Sequence, residues 1–144
     1  MIQFQNDHLT VFQSVLYQTT TAIIQTEDVV IMVDPNWLPS EIQTIQNYIA
    51  KIIGQRELYI IYTHSDFDHI IAAGAFPTAK TIASATFASR TDKETVLQEI
   101  EQFDAQYYVT RHYEIIYPQV DFVIENDGQI LTIGATKLTF YLAP

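Results

Sequence analysis

The 144-residue chain has the size of one domain, and its 48% hydrophobic and 17% charged residues exclude a disordered or fibrous protein. Seven Lys and Arg residues against seventeen Asp and Glu residues give a net charge of −10, which disfavours a nucleic-acid partner and suits cations such as metal ions. The chain has no cysteine, so disulfides and thiolate metal sites are excluded.

The sequence also bears on the location of the protein. Residues 1–7 have neither the basic region nor the apolar region of a signal peptide. The longest apolar stretches, such as residues 70–76, are far shorter than the roughly 20 residues needed to cross a bilayer. We therefore expect a cytoplasmic protein with a small-molecule substrate and no membrane partner.

Short segments rich in β-forming residues fill the first part of the chain. Residues 10–15 and 20–25 are predicted strands, and a turn at Glu27-Asp28 leads into the next one. Residues 29–33 form an unbroken apolar run, which is typical of a strand buried on both faces. This strand ends at Asp34, which is followed by Pro35 and Asn36.

An amphipathic helix is predicted next, over residues 40–53. Ser40 and Gln43 have the spacing of a capping box at its start, and Gly54 is a typical helix stop. One face of the helix carries apolar residues at helical spacing, namely Ile42, Ile45, Ile49, Ile52 and Ile53. The order strand, helix, strand, with the second strand at 58–62, predicts a right-handed crossover and a parallel pair.

The rest of the chain mixes helices and strands. The predicted elements are a small-residue helix at 70–75, a strand at 80–85, a helix at 92–107, and strands at 122–124, 129–133 and 137–142. The turn sequence Asn126-Asp127-Gly128 between apolar runs predicts a hairpin. The fold class is therefore α/β with an appended antiparallel portion.

The densest polar cluster follows the strand at 58–62. Residues 63–69 read Thr-His-Ser-Asp-Phe-Asp-His, so that His64, Asp66, Asp68 and His69 lie within six positions. Imidazole and carboxylate are ligands of Zn, Fe and Mn, and loops after buried strands are where functional groups gather in α/β sheets. If this segment is extended, the first three side chains point to one side, and His69 turns back at the start of the following helix. The four side chains could then bind two adjacent metal ions. The alternative is that two capping aspartates and two surface histidines fell together by chance.

This segment is similar to the signature T-H-x-H-x-D-H of the metallo-β-lactamase superfamily. In that superfamily the signature follows a strand ending in Asp and an amphipathic helix, and this chain has all three in the same order between Thr20 and Ala75. The resemblance implies an αββα sandwich with a mixed sheet and flanking helices. Residues 1–144 would form a single domain of this type, mostly its N-terminal half.

The resemblance also implies roles for individual residues. His64 and Asp66 would bind a first metal, and Asp68 and His69 a second. A metal-bound hydroxide, oriented by Asp68 as the catalytic residue, would attack an ester, thioester, lactone, lactam or phosphoester. Asp34 would brace the loop through hydrogen bonds, although a plain turn residue before Pro35 is the alternative.

One position departs from the signature, because Asp66 stands where the superfamily usually has its second His. Zinc is the first expectation for the metal, but a harder carboxylate ligand shifts the preference towards iron or manganese. Flavodiiron proteins, a redox branch of the superfamily, resemble this chain in placing a carboxylate there, with Glu rather than Asp. The alternatives to a hydrolase are thus a diiron redox protein and a metal-free, non-catalytic scaffold.

The superfamily's later ligands, the first of which usually lies in P-G-H-T, have no counterpart here. Residues 140–144 resemble the strand that leads into that motif and stop at its Pro, so we expect a domain truncated at its C-terminal end, with low metal affinity. A sheet without its partner would expose an apolar face, so we expect a homodimer through that face or a marginally stable protein. His8 is expected at the surface, and His112 at the surface or in packing, with a displaced metal ligand as the alternative for His112. Tyr107, Tyr108, Tyr113 and Tyr117 are expected in aromatic packing, with pocket lining as the alternative.

Overall fold

The computed structural model of the protein describes residues 1–35 and 37–143, so Asn36 and Pro144, which figure in the sequence-based expectations, lie outside the described residues. The strands are β1 (Ile2–Gln5), β2 (Leu9–Gln13), β3 (Thr20–Gln25), β4 (Val29–Val33), β5 (Glu57–Ile61), β6 (Lys80–Ser84), β7 (Phe122–Ile124), β8 (Gln129–Ile133) and β9 (Thr136–Phe140). The helices are α1 (Pro39–Ile52), α2 (Phe67–Ile70), α3 (Ala85–Ala88) and α4 (Lys93–Gln106), with a 3-10 turn at Ala73–Ala75.

Seven strands form one mixed sheet in the order in which they occur along the chain. Strands β1 to β4 are antiparallel neighbours, whereas β4, β5, β6 and β7 run parallel to one another. The predicted parallel pair is confirmed, with Val30 opposite Leu58 and Met32 opposite Ile60. The carboxyl ends of β4 and β5 therefore meet at the same edge of the sheet.

The core lies on both faces of this sheet. On one face the isoleucines of α1 and the apolar side chains of α4 pack against the central strands; Ile45, Ile60 and Ile100 are almost fully buried there. On the other face the β8–β9 hairpin covers Ile31 and Ile82. The protein therefore has three layers, which are helices, a large mixed sheet and a small sheet.

The start of α1 differs from the prediction. The helix begins at Pro39, whose fixed φ suits a first helical position, so Leu38 rather than Ser40 is the N-cap. The carboxylate that reaches back belongs to Glu41, which accepts a hydrogen bond from the Leu38 amide at 3.1 Å. The predicted stop is confirmed, because Gly54 has a φ of +57°, the left-handed conformation that glycine adopts without strain.

The predicted hairpin across residues 126–128 is wrong. Strand β7 joins the large sheet beside β6, whereas β8 pairs with β9 through a turn at Gly134. The Asn-Asp-Gly sequence instead carries the chain from one sheet to the other, which places β7 and β8 in different layers. The short elements β1 and α3 were not predicted either. Within the described ranges, no helix is both long and apolar enough to cross a membrane.

Candidate metal centre

Residues 63–69, called the metal loop here, follow the carboxyl end of β5 and include the first three residues of α2. The loop lies beside Asp34, which directly follows the parallel neighbour β4. The Asp34 amide donates a hydrogen bond to the Ile61 carbonyl at 3.1 Å, which joins the two strand ends. The topology therefore brings a carboxylate from β4 to the base of the loop.

Asp34 is a brace and a turn residue at once. Its Oδ1 accepts a hydrogen bond from the Thr63 amide at 2.9 Å, and its Oδ2 accepts one from the Thr63 hydroxyl at 2.5 Å. The residue has a φ of +49°, a conformation that Asp tolerates better than most residues, and it is buried. The Thr21 hydroxyl donates a hydrogen bond to the Asp34 carbonyl at 2.7 Å. The sequence left open whether Asp34 braces the loop or is a plain turn residue; it braces the loop through Thr63, and its positive φ also suits a turn.

The helix that follows β5 begins earlier than predicted. The sequence predicted a helix at 70–75, but α2 starts at Phe67 with Asp66 as its N-cap and gives way to the 3-10 turn. The Phe67 ring packs against Trp37 and Phe103, at ring-centroid distances of 5.7 and 6.0 Å, which anchors this first turn. Asp68 and His69 therefore lie on a helical turn, and the expectation that residue 68 is extended is wrong.

His69 lies between two carboxylates. Its Nδ1 is 2.8 Å from Asp34 Oδ2, and its Nε2 is 3.4 Å from Asp68 Oδ2. The Nδ1 contact is an ion-pair contact rather than a well-aligned hydrogen bond. Burial acts to lower the pKa of His69, but the contacts with Asp34 and Asp68 outweigh it and raise this pKa to about 10.

The contact with His69 also shifts the pKa of Asp68. Burial acts to raise the pKa of Asp68, but the hydrogen bond and charge of His69 hold this pKa below its ordinary value. Asp68 is therefore an ionised carboxylate at neutral pH.

His64 and Asp66 form a second, more exposed pair. His64 Nδ1 lies 3.5 Å from Asp66 Oδ2, and the Asp66 side chain is 72% exposed. The His64 and His69 rings approach each other with centroids 3.7 Å apart, so both pairs lie at one place on the protein surface. The structure thus brings the four predicted side chains together as two adjacent pairs.

Comparison with protein families identifies the family. The sequence profile of the metallo-beta-lactamase superfamily matches residues 15–144. The chain belongs to the metallo-β-lactamase superfamily. The resemblance inferred from the metal loop is confirmed. Among curated proteins, none matches the chain.

Solved structures of metallo-β-lactamases share the fold. The native FEZ-1 metallo-β-lactamase from Legionella gormanii is 20% identical with a TM-score of 0.62, and the match covers 95% of this chain and 50% of that one. The subclass B3 metallo-β-lactamase BJP-1 of Bradyrhizobium japonicum is 22% identical with a TM-score of 0.57, over 98% and 51% of the two chains. The sec-alkyl sulfatase PisA1 is 13% identical with a TM-score of 0.65, over 97% and 27%.

The chain therefore spans about half the length of the FEZ-1 and BJP-1 chains. The predicted fold class is confirmed. It is a mixed α/β structure with a large sheet and flanking helices, matching the N-terminal half of a metallo-β-lactamase fold.

Membership of the superfamily implies a divalent metal, and the spacing of the loop's ligand atoms fits one. Two ligand atoms on a tetrahedral ion with bonds of about 2.0–2.2 Å are separated by about 3.3–3.6 Å. The Asp68–His69 separation of 3.4 Å and the His64–Asp66 separation of 3.5 Å match one edge of such a shell. Over residues 1–35 and 37–143, no three His, Asp or Glu side chains have the arrangement of a metal site. Each pair thus fits part of a coordination shell, and a full shell needs further donors.

A cleft of about 720 Å³ opens beside the metal loop. Its lining includes residues 61–65 of β5 and the loop, residues 82–87 of β6 and α3, and residues 140–143 after β9. The Tyr62 ring stacks on Phe87 at 5.5 Å and forms part of the wall. A small molecule in this cleft would lie against His64.

One contact of the metal loop was not predicted from the sequence. The guanidinium of Arg90 donates hydrogen bonds to the carbonyl and hydroxyl of Ser65, at 3.0 and 2.9 Å. The two residues are 25 positions apart, and only the pairing of β5 with β6 brings them together. Arg90 follows β6, the parallel neighbour of β5, and this position is the feature of the sequence from which the contact could have been predicted.

The remaining histidines and tyrosines behave largely as expected. His8 and His112 are exposed and lie outside the metal loop. Tyr113 and Tyr117 pack against the core, and Tyr107 packs on Phe103 with ring centroids 4.8 Å apart while it also lines a groove with Trp37 and Phe67. Tyr108 is the exception, because it is 94% exposed, so the expectation of aromatic packing is wrong for this residue.

Proposed function

We propose that the metal loop is part of the metal centre of a metal-dependent hydrolase. The observation that carries this proposal is the convergence of Asp34, Asp68 and His69 at the carboxyl ends of two parallel strands. A buried carboxylate holds the histidine by one nitrogen, and the other nitrogen faces a second carboxylate. Histidine ligands of metals are typically held in this way by a carboxylate on the nitrogen that does not bind the metal.

The ligands follow from this arrangement. His64 and Asp66 would hold one divalent ion, and Asp68 and His69 a second, with zinc as the first expectation. When bound, the metal supplies Lewis acidity and makes water nucleophilic near neutral pH. Asp34 would keep the His69 ring in position through Nδ1, which leaves Nε2 directed towards the ion.

Asp68 would also act on the attacking water. Because its pKa is held low, its carboxylate is ionised at neutral pH and accepts a hydrogen bond from a water in the site. A carboxylate in this position orients the water towards the substrate and takes up part of the developing positive charge. Asp68 is therefore the residue to which we assign a catalytic role.

The substrate is an ester, thioester, lactone, lactam or phosphoester. The cleft of about 720 Å³ beside His64 is large enough for a small molecule. Structural neighbours whose names state an activity include β-lactamases and a sulfatase, and hydrolysis is common to both. We place the protein in the cytoplasm and assign it neither a nucleic-acid nor a membrane partner.

Asp66 supports a second candidate function, a diiron redox protein. The Asp66 carboxylate is paired with His64 in the loop, and carboxylate oxygen favours iron or manganese over zinc. Iron in protein purified without added metal, together with redox activity and no hydrolysis, would favour this candidate.

The hydrolase is tested with the purified chain and a panel covering the five substrate classes. The protein is loaded separately with Zn²⁺, Mn²⁺ or Fe²⁺, and Asp68→Ala is assayed in parallel with His112→Ala as the matched control. Metal-dependent turnover of at least one class, lost in the Asp68 variant and kept in the His112 variant, supports the proposal. Turnover that is unchanged by Asp68→Ala, or its absence with every metal, contradicts it for this chain.

A further inference from the structure

The middle of the metal loop has little local support, since its own contact is a long hydrogen bond of 3.4 Å from the Asp66 amide to His64 Nδ1. Thr63 is tied to Asp34, and the His69 amide donates to the Asp66 carbonyl at 2.9 Å. Between these points, His64 and Ser65 take part in no backbone–backbone hydrogen bond in the described part of the chain. Ser65 lies between two proposed metal ligands, so its conformation sets how His64 and Asp66 face each other.

Arg90 supplies the missing support. It lies between α3 and α4, and its Nη1 donates to both the carbonyl and the hydroxyl of Ser65. A guanidinium presents its donors on three nitrogens in a rigid planar fork, so Nε and Nη2 can hold Asp92 while Nη1 makes both hydrogen bonds to Ser65. Lysine carries the same charge but has no such fork.

Arg90 is itself held in place. Its Nε and Nη2 donate to the two carboxylate oxygens of Asp92, at 2.6 and 3.2 Å, and Asp92 is the N-cap residue of α4. Four hydrogen bonds thus use most of the guanidinium donors. The loop is therefore attached through Arg90 to the start of a 14-residue helix whose buried face lies in the core.

We propose that Arg90 is a positioning residue that fixes the His64–Asp66 half of the metal loop through Ser65. This inference rests on the proposed function, since it assigns a role within the same metal centre. Asp34 would fix the two ends of the loop, Thr63 and His69, and Arg90 would fix its middle. Arg90 acts through Ser65 and is not itself assigned a metal or substrate contact.

Replacement of Arg90 should change metal affinity in opposite directions through charge and through geometry, which makes the proposal testable. A positive charge near the site repels a metal cation, so removal of the charge alone would strengthen metal binding. Loss of the fork would weaken binding, because second-shell partners of metal ligands typically contribute about 10–100-fold to affinity. Arg90→Lys keeps the charge and loses the fork, whereas Arg90→Gln loses both.

The experiment titrates the metal-free full chain with Co²⁺ and follows the visible absorption of the bound ion. The matched control is Arg56→Gln, since Arg56 also binds backbone carbonyls but lies near the β3–β4 turn, at the opposite end of the strands. We expect both Arg90 variants to bind Co²⁺ about 10-fold more weakly with an altered spectrum, and the control to bind like the parent. An Arg90→Gln variant that binds as tightly as the parent, or more tightly, overturns the proposal.

A second measurement separates this proposal from the proposed function. Hydrogen–deuterium exchange of residues 62–70 is measured in the metal-free parent, both Arg90 variants and the Arg56 control. Faster exchange in the Arg90 variants alone supports the brace, even if the parent binds no Co²⁺ and the metal centre itself fails. Exchange in the Arg90 variants that equals exchange in the parent overturns the brace, whether or not the parent binds Co²⁺.

Discussion

The carboxylate of Asp34 lies 2.8 Å from Nδ1 of His69, a residue 35 positions later in the chain, while it also accepts both hydrogen bonds from Thr63. One buried side chain at the end of β4 therefore holds the first and last residues of the metal loop. The loop is closed at its base before any metal is considered.

Replacement of Asp34 should destabilise the protein. Asp34→Ala leaves the Thr63 amide and hydroxyl without their acceptor and the His69 ring without its ion-pair partner, and we expect a loss of about 3 kcal/mol in the free energy of unfolding. Asp34→Asn keeps one acceptor oxygen and tolerates the positive φ, so its loss should be about half as large. Urea unfolding measures both, with the exposed Asp7→Ala as the control. Equal stability of Asp34→Ala and the parent would show that the brace contributes nothing.

Replacement of Asp66 by histidine should change the preference for metals. Asp66→His restores the usual signature and exchanges a hard carboxylate for an imidazole, which favours zinc over iron and manganese. Competition between Zn²⁺ and Mn²⁺, read by elemental analysis after desalting, should show a higher zinc fraction than in the parent. The same substitution at another exposed carboxylate, Asp7→His, serves as the control. An unchanged metal ratio would remove Asp66 from the ligand set.

Gly74 packs against the chain segment that follows α4. A Cβ at this position would lie 1.8 Å from the Glu114 carbonyl oxygen, so Gly74→Ala must displace backbone. We expect a loss of about 2 kcal/mol in unfolding free energy. Gly54→Ala provides the comparison, because its Cβ would meet nothing within 4 Å and only its positive φ costs stability, about 1 kcal/mol. A Gly74 variant more stable than the Gly54 variant would contradict this close contact.

Asp28 attaches the β8–β9 hairpin to the large sheet. Its Oδ2 accepts hydrogen bonds from the Ala135 amide at 3.0 Å and the Thr136 hydroxyl at 3.2 Å. Asp28→Ala should lower the unfolding free energy by about 1–2 kcal/mol and speed amide exchange in the hairpin. Glu27→Ala removes an exposed carboxylate from the same turn and should change neither quantity. Slow exchange in the hairpin of the Asp28 variant would show that packing alone holds it.

Self-association through an exposed sheet face stays a prediction. The β8–β9 hairpin covers one face of the large sheet with Leu131, Ile133, Leu138 and Phe140, and the large apolar residues Ile130 and Tyr141 remain exposed on the hairpin and just after it. Multi-angle light scattering at rising concentration should show a dimer whose fraction falls in Ile130→Lys. A monomer at all concentrations would remove the homodimer.

Much of the fold could be predicted because its signals are local. The apolar run of β4 and the isoleucine face of α1 gave the right elements and the parallel β4–β5 pair. The start of α2 was missed because Phe67 is anchored by Trp37 and Phe103, contacts that depend on tertiary packing. The hairpin partner of β8 was missed since a turn sequence does not say which sheet the next strand joins.

The candidate site, like the fold, was predictable where its residues are neighbours in the sequence. The four clustered side chains follow from adjacent positions, and the structure brings them together as two pairs. Arg90 has no local signal because its contact with Ser65 requires two neighbouring parallel strands. Whether the four residues bind metal stays a prediction.

The most direct test of a metal centre in the loop is isothermal titration of the metal-free chain with Zn²⁺ at neutral pH. The parent, Asp68→Ala and His112→Ala are compared under identical conditions. We expect weak but saturable binding in the parent, the same binding in the His112 variant, and a lower stoichiometry in the Asp68 variant, which keeps only the His64–Asp66 pair. Equal binding by the parent and the Asp68 variant, or no binding by the parent, would contradict a metal site at residues 63–69 of this chain.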